Sequence, residues 1–449
     1  MVSAHDCGRE NMSLRHLTVI FAMLCSTAMG SAHSNDVALI HARVYASPDA
    51  IPIIDGDVLI REGRIFAVGT AKTTKIPRTS KIVNVHGAVV TAGFWNSHVH
   101  LMNNALLNAE QRSSAQLENE LKQMLTRWGF TTVFDTASLL KNTNVIRRRI
   151  ASKEIAGPMI LTVGDPFYPK GGTPIYVKQF MKDNGFPDEE IANLPEAVAR
   201  ARRQIQQEGA DGIKLFAGAI VGGEVGVLAM PLDQARALTA AAHKLGKPVF
   251  AHPSNLDGLN VSIESGVDVL AHTTPMSGPW SPEVTARIVA RHVALIPTLT
   301  LFEVEAKKFG ESEQDAKNDL DAAVQQVDAY TKAGGQILFG TDVGYTDAFD
   351  TTEEYRQLAR ALNWRQILAS LTVAPAEKFG FSLKKGKLIP GQDADLVVLD
   401  ADPAKDVTAF AKVRLTIRDG RIIFDANDKA GASTPYQSPA NTKTHSPVP

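Results

Sequence analysis

Cysteine is nearly absent: the 449 residues contain two, Cys7 and Cys25. Both fall in an N-terminal stretch that reads as a removable export signal. The mature chain is therefore expected to have no disulfide, no thiolate metal ligand and no cysteine nucleophile. Long apolar runs are also missing. Residues 17–25 are apolar but fall short of the roughly 20 residues a membrane-spanning helix needs, and no other stretch comes closer. There is no surplus of either charge, with 47 Lys and Arg against 48 Asp and Glu and a formal net charge of −1. That balance argues against nucleic acid or an anionic membrane as the main partner. The local basic run Arg147, Arg148 and Arg149 reads as a solvated helix face. No glycine-rich turn of the dinucleotide type joins a strand to a helix, and no arginine cluster marks a phosphate pocket.

The N-terminus has the order of a secretory signal, with Arg15 and His16, the apolar run, and then the small residues Ser26, Thr27, Ala28, Gly30, Ser31 and Ala32. Residues 1–33 are assigned to it, with Met12 as an alternative start. Leu24 directly before Cys25 argues against a lipoprotein anchor. An exported, cysteine-free protein suits a bacterial periplasm or secretion. Residues 34–92 read as short strands (37–45, 57–61 and 64–68) separated by the turn pairs Asp55-Gly56 and Glu62-Gly63. A second β-rich stretch, 381–428, contains the runs 395–400 and 413–424. Each piece is small for a core of its own. Together they are expected to form one β-sandwich enclosing the domain between them. Residues 429–449, rich in Pro, Ser, Thr and Asn, read as a disordered tail.

From 93 to 380, short apolar runs at 131–134, 159–163, 213–216, 248–251, 267–271, 293–297 and 336–340 alternate with amphipathic helical stretches such as 196–208, 232–245 and 313–333. With 93–97 as the first strand there are eight units. Repeated strand–helix units imply an α/β fold, and eight of them predict a (β/α)8 TIM-like barrel. An open doubly wound sheet would be expected to show the phosphate fingerprint that is missing here.

Barrel enzymes place reactive groups where strands end. His98 and His100 close the first run, His252 the fifth and His272 the sixth, and Asp342 follows the eighth. Two residues apart on a strand, His98 and His100 share a face. Imidazoles and a carboxylate together suit zinc or a similar divalent ion. His41, His86, His243, His292 and His445 do not end strands and read as structural. Lys214 lies inside the fourth run, where a buried charge is costly unless it is removed or paired. One reading is a stem that snorkels to water. The other is a neutral amine that adds carbon dioxide and bridges two metal ions as a carbamate. The loop from 164 to 176, with Phe167, Tyr168 and Tyr176, and the glycine-rich stretch 217–226 read as lids over a substrate pocket. Tyr345, just past Asp342, is a further pocket residue.

The segments 93–100, 209–214, 247–252, 269–272, 338–342 and 386–400 resemble the amidohydrolase superfamily, in particular its imidazolonepropionase-like and prolidase-like branch. The resemblance spans nearly the whole mature chain. It implies a metal-dependent hydrolase of an amide, a cyclic amide or a related C–N bond in a small-molecule substrate. It further implies two divalent ions, zinc the leading candidate: His98, His100 and Asp342 on the first, His252 and His272 on the second, and N6-carboxylated Lys214 with a hydroxide between them. Asp342 would act as general base and then acid. Such relatives commonly assemble as homo-oligomers. Three departures stand out. Asn96 replaces a frequent Asp, Ala271 and Thr273 flank His272 where Glu and Gly are frequent, and Met230-Pro231 lie where a carboxylate-binding tyrosine is frequent. Two alternatives are a one-metal ring deaminase, against which Lys214 argues, and a non-catalytic periplasmic metal- or ligand-binding protein, against which Asp342 argues.

Overall fold

A computed structural model describes residues 36–184 and 190–428. The expected export signal, both cysteines and the expected tail lie outside the described residues. The chain opens with an antiparallel meander of β1 (Val37–Tyr45), β2 (Ile53–Arg61) and β3 (Arg64–Thr70). The β2–β3 turn is Glu62-Gly63, with φ of 50° and 75°, which is the twist that a two-residue hairpin requires. β4 (Lys81–Asn84) and β5 (Val89–Ala92) both run parallel to β1.

The central part has two parallel sheets. The first joins β6 (Phe94–Val99), β7 (Phe130–Asp135) and β8 (Met159–Thr162) in that order. The second starts with β9 (Ile213–Leu215). After β9 comes an antiparallel hairpin of β10 (Gly218–Gly222) and β11 (Gly226–Ala229). The sheet continues with β12 (Val249–Ala251), β13 (Val269–Ala271) and β14 (Ala294–Ile296). The expected eighth strand departs from expectation. Residues 336–340 make no ladder, only a bridge from Ile337 to Leu295. This segment is nevertheless bonded on both sides: Leu338 N–H donates to Leu295 at 2.9 Å, and Ser97 N–H donates to Phe339 at 2.7 Å. The segment also packs closely at Gly340, where an added Cβ would lie 2.3 Å from Ile296 and 2.8 Å from the His98 Cβ. On the other side, Phe167 bridges to Leu215.

The chain then returns as β15 (Leu396–Leu399), β16 (Val413–Arg418) and β17 (Arg421–Asp425). These extend the N-terminal sheet in the order β17-β16-β15-β5-β1-β2-β3, so the two chain ends share one sheet joined at β5–β15. The sheet also curls. Ile65 N–H donates to Gln392 and Gly391 N–H to Ile65, at 2.9 and 2.8 Å, which brings β3 beside the segment entering β15. Leu39, Val58, Val90, Leu396 and Val398 are fully buried in the core of this sheet.

The amphipathic stretches form helices close to their expected limits: Leu194–Gln206, Leu232–His243 and Glu313–Lys332. Asn193 and Ser312 cap two of them by accepting backbone N–H groups of the first turn. Two stretches read as loops are partly ordered elements: the loop at 164–176 runs at its end into the helix Ile175–Asn184, and 217–226 is mostly the β10–β11 hairpin. That hairpin fits because Gly218 has no Cβ, which would stand 2.1 Å from the Pro253 carbonyl oxygen.

A buried ion pair ties the return into the terminal sheet. The Lys385 ammonium lies 2.5 Å from Asp395 and 3.3 Å from Asp393, and Asp395 also accepts the Asp419 N–H at 2.9 Å. Removing one partner leaves the other charge buried and unpaired, so Lys385→Met is expected to cost about 3–5 kcal/mol. A urea midpoint unchanged from the parent chain would contradict this.

Candidate metal centre

The end of β6 carries His98 and His100 on one face, with their Nε2 atoms 3.2 Å apart. The Asp342 carboxylate reaches them from the eighth segment, 3.2 Å from His98 Nε2 and 2.8 Å from His100 Nε2. One ligand atom from each of the three lies within 4.8 Å of the others. His272, at the end of β13, brings its Nε2 to 3.9 Å from Asp342, and its ring centroid is 4.6 Å from that of His98. His252, at the end of β12, follows at 4.8 Å from the His272 ring and stacks on Phe216. Lys214 on β9 is 1 % exposed and pairs in register with Phe250, two residues before His252. His272 and Asp342 have φ of 85° and 58°. Such strain in non-glycine residues persists only where the surroundings enforce it.

Outer hydrogen bonds set the direction of the rings. His100 Nδ1 lies 2.7 Å from the Ala137 carbonyl oxygen, which can only accept, so Nδ1 carries the proton. His272 Nδ1 lies 2.6 Å from Thr298 Oγ1, whose own hydroxyl donates to the Pro297 carbonyl at 2.8 Å, so Nδ1 again donates. In the neutral rings both Nε2 lone pairs therefore turn inward. Burial holds the imidazoles neutral: His98 falls to about 3, and His252 and His272 fall well below their ordinary value. Burial works against the Asp342 carboxylate, and positive charge shared with His98 and His100 is what pulls it well below the usual range. Burial brings the Lys214 amine down to about 7, with Asp342 opposing.

This set fits a divalent cation. The Asp342 oxygen nearest the two imidazoles receives no well-formed hydrogen bond despite the 2.8 Å approach. Close approach without hydrogen-bond geometry is what donors around a shared cation show. The N,N,O chemistry suits zinc-like ions.

A cavity of about 600 Å3 opens onto the group and is lined by His100, Lys214, His252, His272 and Asp342. Tyr168, Tyr176 and Tyr345 also line it. Phe167, expected beside them, does not. It is fully buried with the Arg200 guanidinium 3.9 Å from its ring centre, because neighbours on an extended segment point to opposite sides. His41 and His243 pair with Asp55 and Asp268 at 2.7 and 2.8 Å, away from the cavity. Asn96 is buried and connects strand ends: its amide donates to Thr341 Oγ1 at 2.7 Å, and its Oδ1 accepts the His98 N–H at 3.2 Å. Met230 is buried outside the cavity, whereas Thr273 lines it. Among the helices that the sequence reading did not name, one borders the cavity. Leu299–Phe309 presents Leu301, Phe302, Glu305, Ala306 and Phe309 to the cavity. The available signal was that near-helical spacing, interrupted by a single acid.

Residues 89–423 match the amidohydrolase family. The L-hydantoinase of Paenarthrobacter aurescens is 22% identical over 418 residues, covering 82% of this chain and 86% of that protein. Among solved structures, a putative prolidase from Bifidobacterium longum aligns with a TM-score of 0.72 at 24% identity, over 87% of this chain and 94% of that one. A. niger ochratoxinase aligns with a TM-score of 0.71 at 18% identity, over 88% and 97%.

The Thr298 hydroxyl orients His272, and loss of such an outer partner typically weakens metal binding by about 10–100-fold. Thr298→Val is expected to lower zinc affinity by that factor in a chelator competition, while Thr298→Ser retains it. Equal affinity in parent and valine variant would show that the hydroxyl does not set the ring.

Proposed function

We propose that this chain, which belongs to the amidohydrolase family, is a metal-dependent hydrolase of an amide, a cyclic amide or a related C–N bond in a small molecule. The observation that carries the reading is the grouping of His98, His100, His272 and Asp342, the last three at a cavity that His252 and Lys214 also line. The names of the similar proteins, a hydantoinase and a prolidase among them, agree with C–N bond hydrolysis.

His98, His100 and Asp342 would hold one divalent ion, and His252 and His272 a second, with carboxylated Lys214 shared between them. Zinc is the leading candidate. Bound there, such ions supply a Lewis acid and make water a nucleophile near neutral pH. The residues themselves do the rest. Burial leaves part of the Lys214 amine neutral near neutral pH, and a neutral amine adds carbon dioxide to form an N–C bond with loss of a proton. Asp342, held ionised, accepts the proton of the attacking water and delivers it to the departing nitrogen as the C–N bond breaks.

The same reading takes the two parallel sheets as arcs of one (β/α)8 barrel over 93–380. The curled terminal sheet, 34–92 with 381–428, is then its β-sandwich. The bridges on both sides of residues 336–343 and at Phe167 support closure. We further propose export through a signal at residues 1–33 and a homo-oligomeric state, on the sequence pattern and the resemblance respectively.

The experiment is a screen of zinc-loaded protein against N-acyl amino acids, dipeptides, hydantoins and lactams. Activity is expected to vanish on chelation and return with zinc. Asp342→Asn is expected to lower kcat/KM by about 10^2–10^4-fold, the usual worth of a positioned proton carrier. Full activity of Asp342→Asn or His98→Ala on an identified substrate would overturn the assignment.

A further inference from the structure

Beyond the candidate metal ligands, the cavity is apolar and its charge has one sign. Met102, Leu139, Ile175, Phe180, Phe302 and Phe309 line it. Its remaining ionisable groups, tyrosines apart, are the carboxylates of Asp165, Glu305, Glu311, Asp315 and Asp319. Lys214 is the one lysine, and there is no arginine, among the described lining residues. Glu305 is the acid set within the apolar wall. It accepts a hydrogen bond from the Tyr345 hydroxyl at 3.0 Å, and the Tyr345 ring lies 5.2 Å from that of Tyr176. Lys308, one turn on, sits 4.8 Å from the centre of the Tyr345 ring, and no lysine or arginine forms an ion pair with Glu305 among the described residues. Burial accordingly raises the Glu305 carboxyl to about 7. A cation arriving in the cavity would restore its charge and relieve that cost.

We propose that the substrate carries a basic nitrogen, an amine or a guanidine, on an apolar stem, and that this nitrogen sits against Glu305 and Tyr345. The inference rests on the reading of this cavity as the substrate site. The Tyr176 ring, which also lines the cavity, adds an aromatic face for a cation, whereas that of Tyr345 already meets Lys308. The apolar lining takes the stem, and Glu311, Asp315 and Asp319 add negative charge along the rest of the lining. A substrate with a free carboxylate at this end meets Glu305 as a like charge and is rejected.

The test is binding without turnover. Zinc-loaded full chain is titrated calorimetrically at pH 7.5 with 4-phenylbutylamine and with the neutral isostere 4-phenyl-1-butanol. The parent chain is expected to bind the amine at least tenfold more tightly than the alcohol. Glu305→Gln is expected to reduce that preference below threefold, and Glu305→Asp, which keeps the charge, to retain part of it. Circular dichroism confirms that each variant is folded. Equal binding of the two probes by the parent chain, no detectable binding of the amine, or an undiminished preference in Glu305→Gln would each overturn the proposal. Because no bond is cleaved in this measurement, its failure leaves the hydrolase reading intact. Failure of the substrate screen, in turn, leaves the charge preference standing.

Discussion

Two buried imidazole nitrogens face each other at 3.2 Å, with a buried carboxylate within 2.8–3.2 Å of both. The Nδ1 proton of His100 is committed to the Ala137 carbonyl, so its Nε2 lone pair points at His98 and calls for a cation or a proton between the rings. Burial disfavours the protonated rings. A divalent ion shared by these groups would take the Nε2 lone pairs and the carboxylate together, and hydrogen bonds from the surrounding structure hold the groups in place. Asn96 links the backbone of His98 to Thr341, the residue before Asp342. The Asp342 N–H in turn donates to the His98 carbonyl at 3.0 Å.

The terminal sheet contributes by position. β5 ends at Ala92 and β6 begins at Phe94, so the sheet feeds directly into the strand that carries His98 and His100. The single residue between them is Gly93, where a Cβ would stand 2.2 Å from Thr131 Oγ1. Pairing β5 with β15 anchors that junction from the far end of the chain, and the Lys385–Asp395 ion pair fixes the return. Sequence separation of some 300 residues is thereby brought to one side of the histidine pair.

How much was legible in the sequence follows the range of the interactions involved. Strand-end placement of His98, His100, His252, His272 and Asp342 is a local pattern, and their spatial grouping followed from it. The eighth strand was only partly legible, because the apolar run at 336–340 pairs through single long-range bonds rather than a ladder, and local pattern does not distinguish the two. Phe167 and Tyr168 were read as equivalent, yet a sequence does not say which side of an extended segment faces the cavity. Helix Leu299–Phe309 was missed for a different reason. It starts at Thr298, with φ of 48° and no side-chain cap of its own. Its first N–H groups, Leu299 and Thr300, are instead satisfied by the carboxylate of Glu354, at 2.9 and 2.8 Å. A cap more than 50 residues away leaves no local start signal, and the acid Glu305 on that helix was passed over with it.

Metal binding by these donors is tested most directly by anomalous diffraction at the zinc edge from zinc-loaded crystals. One strong peak is expected between His98 Nε2, His100 Nε2 and Asp342, and a second between His252, His272 and Lys214. Anomalous peaks confined to surface carboxylates and histidines, with none between His98, His100 and Asp342, would contradict it.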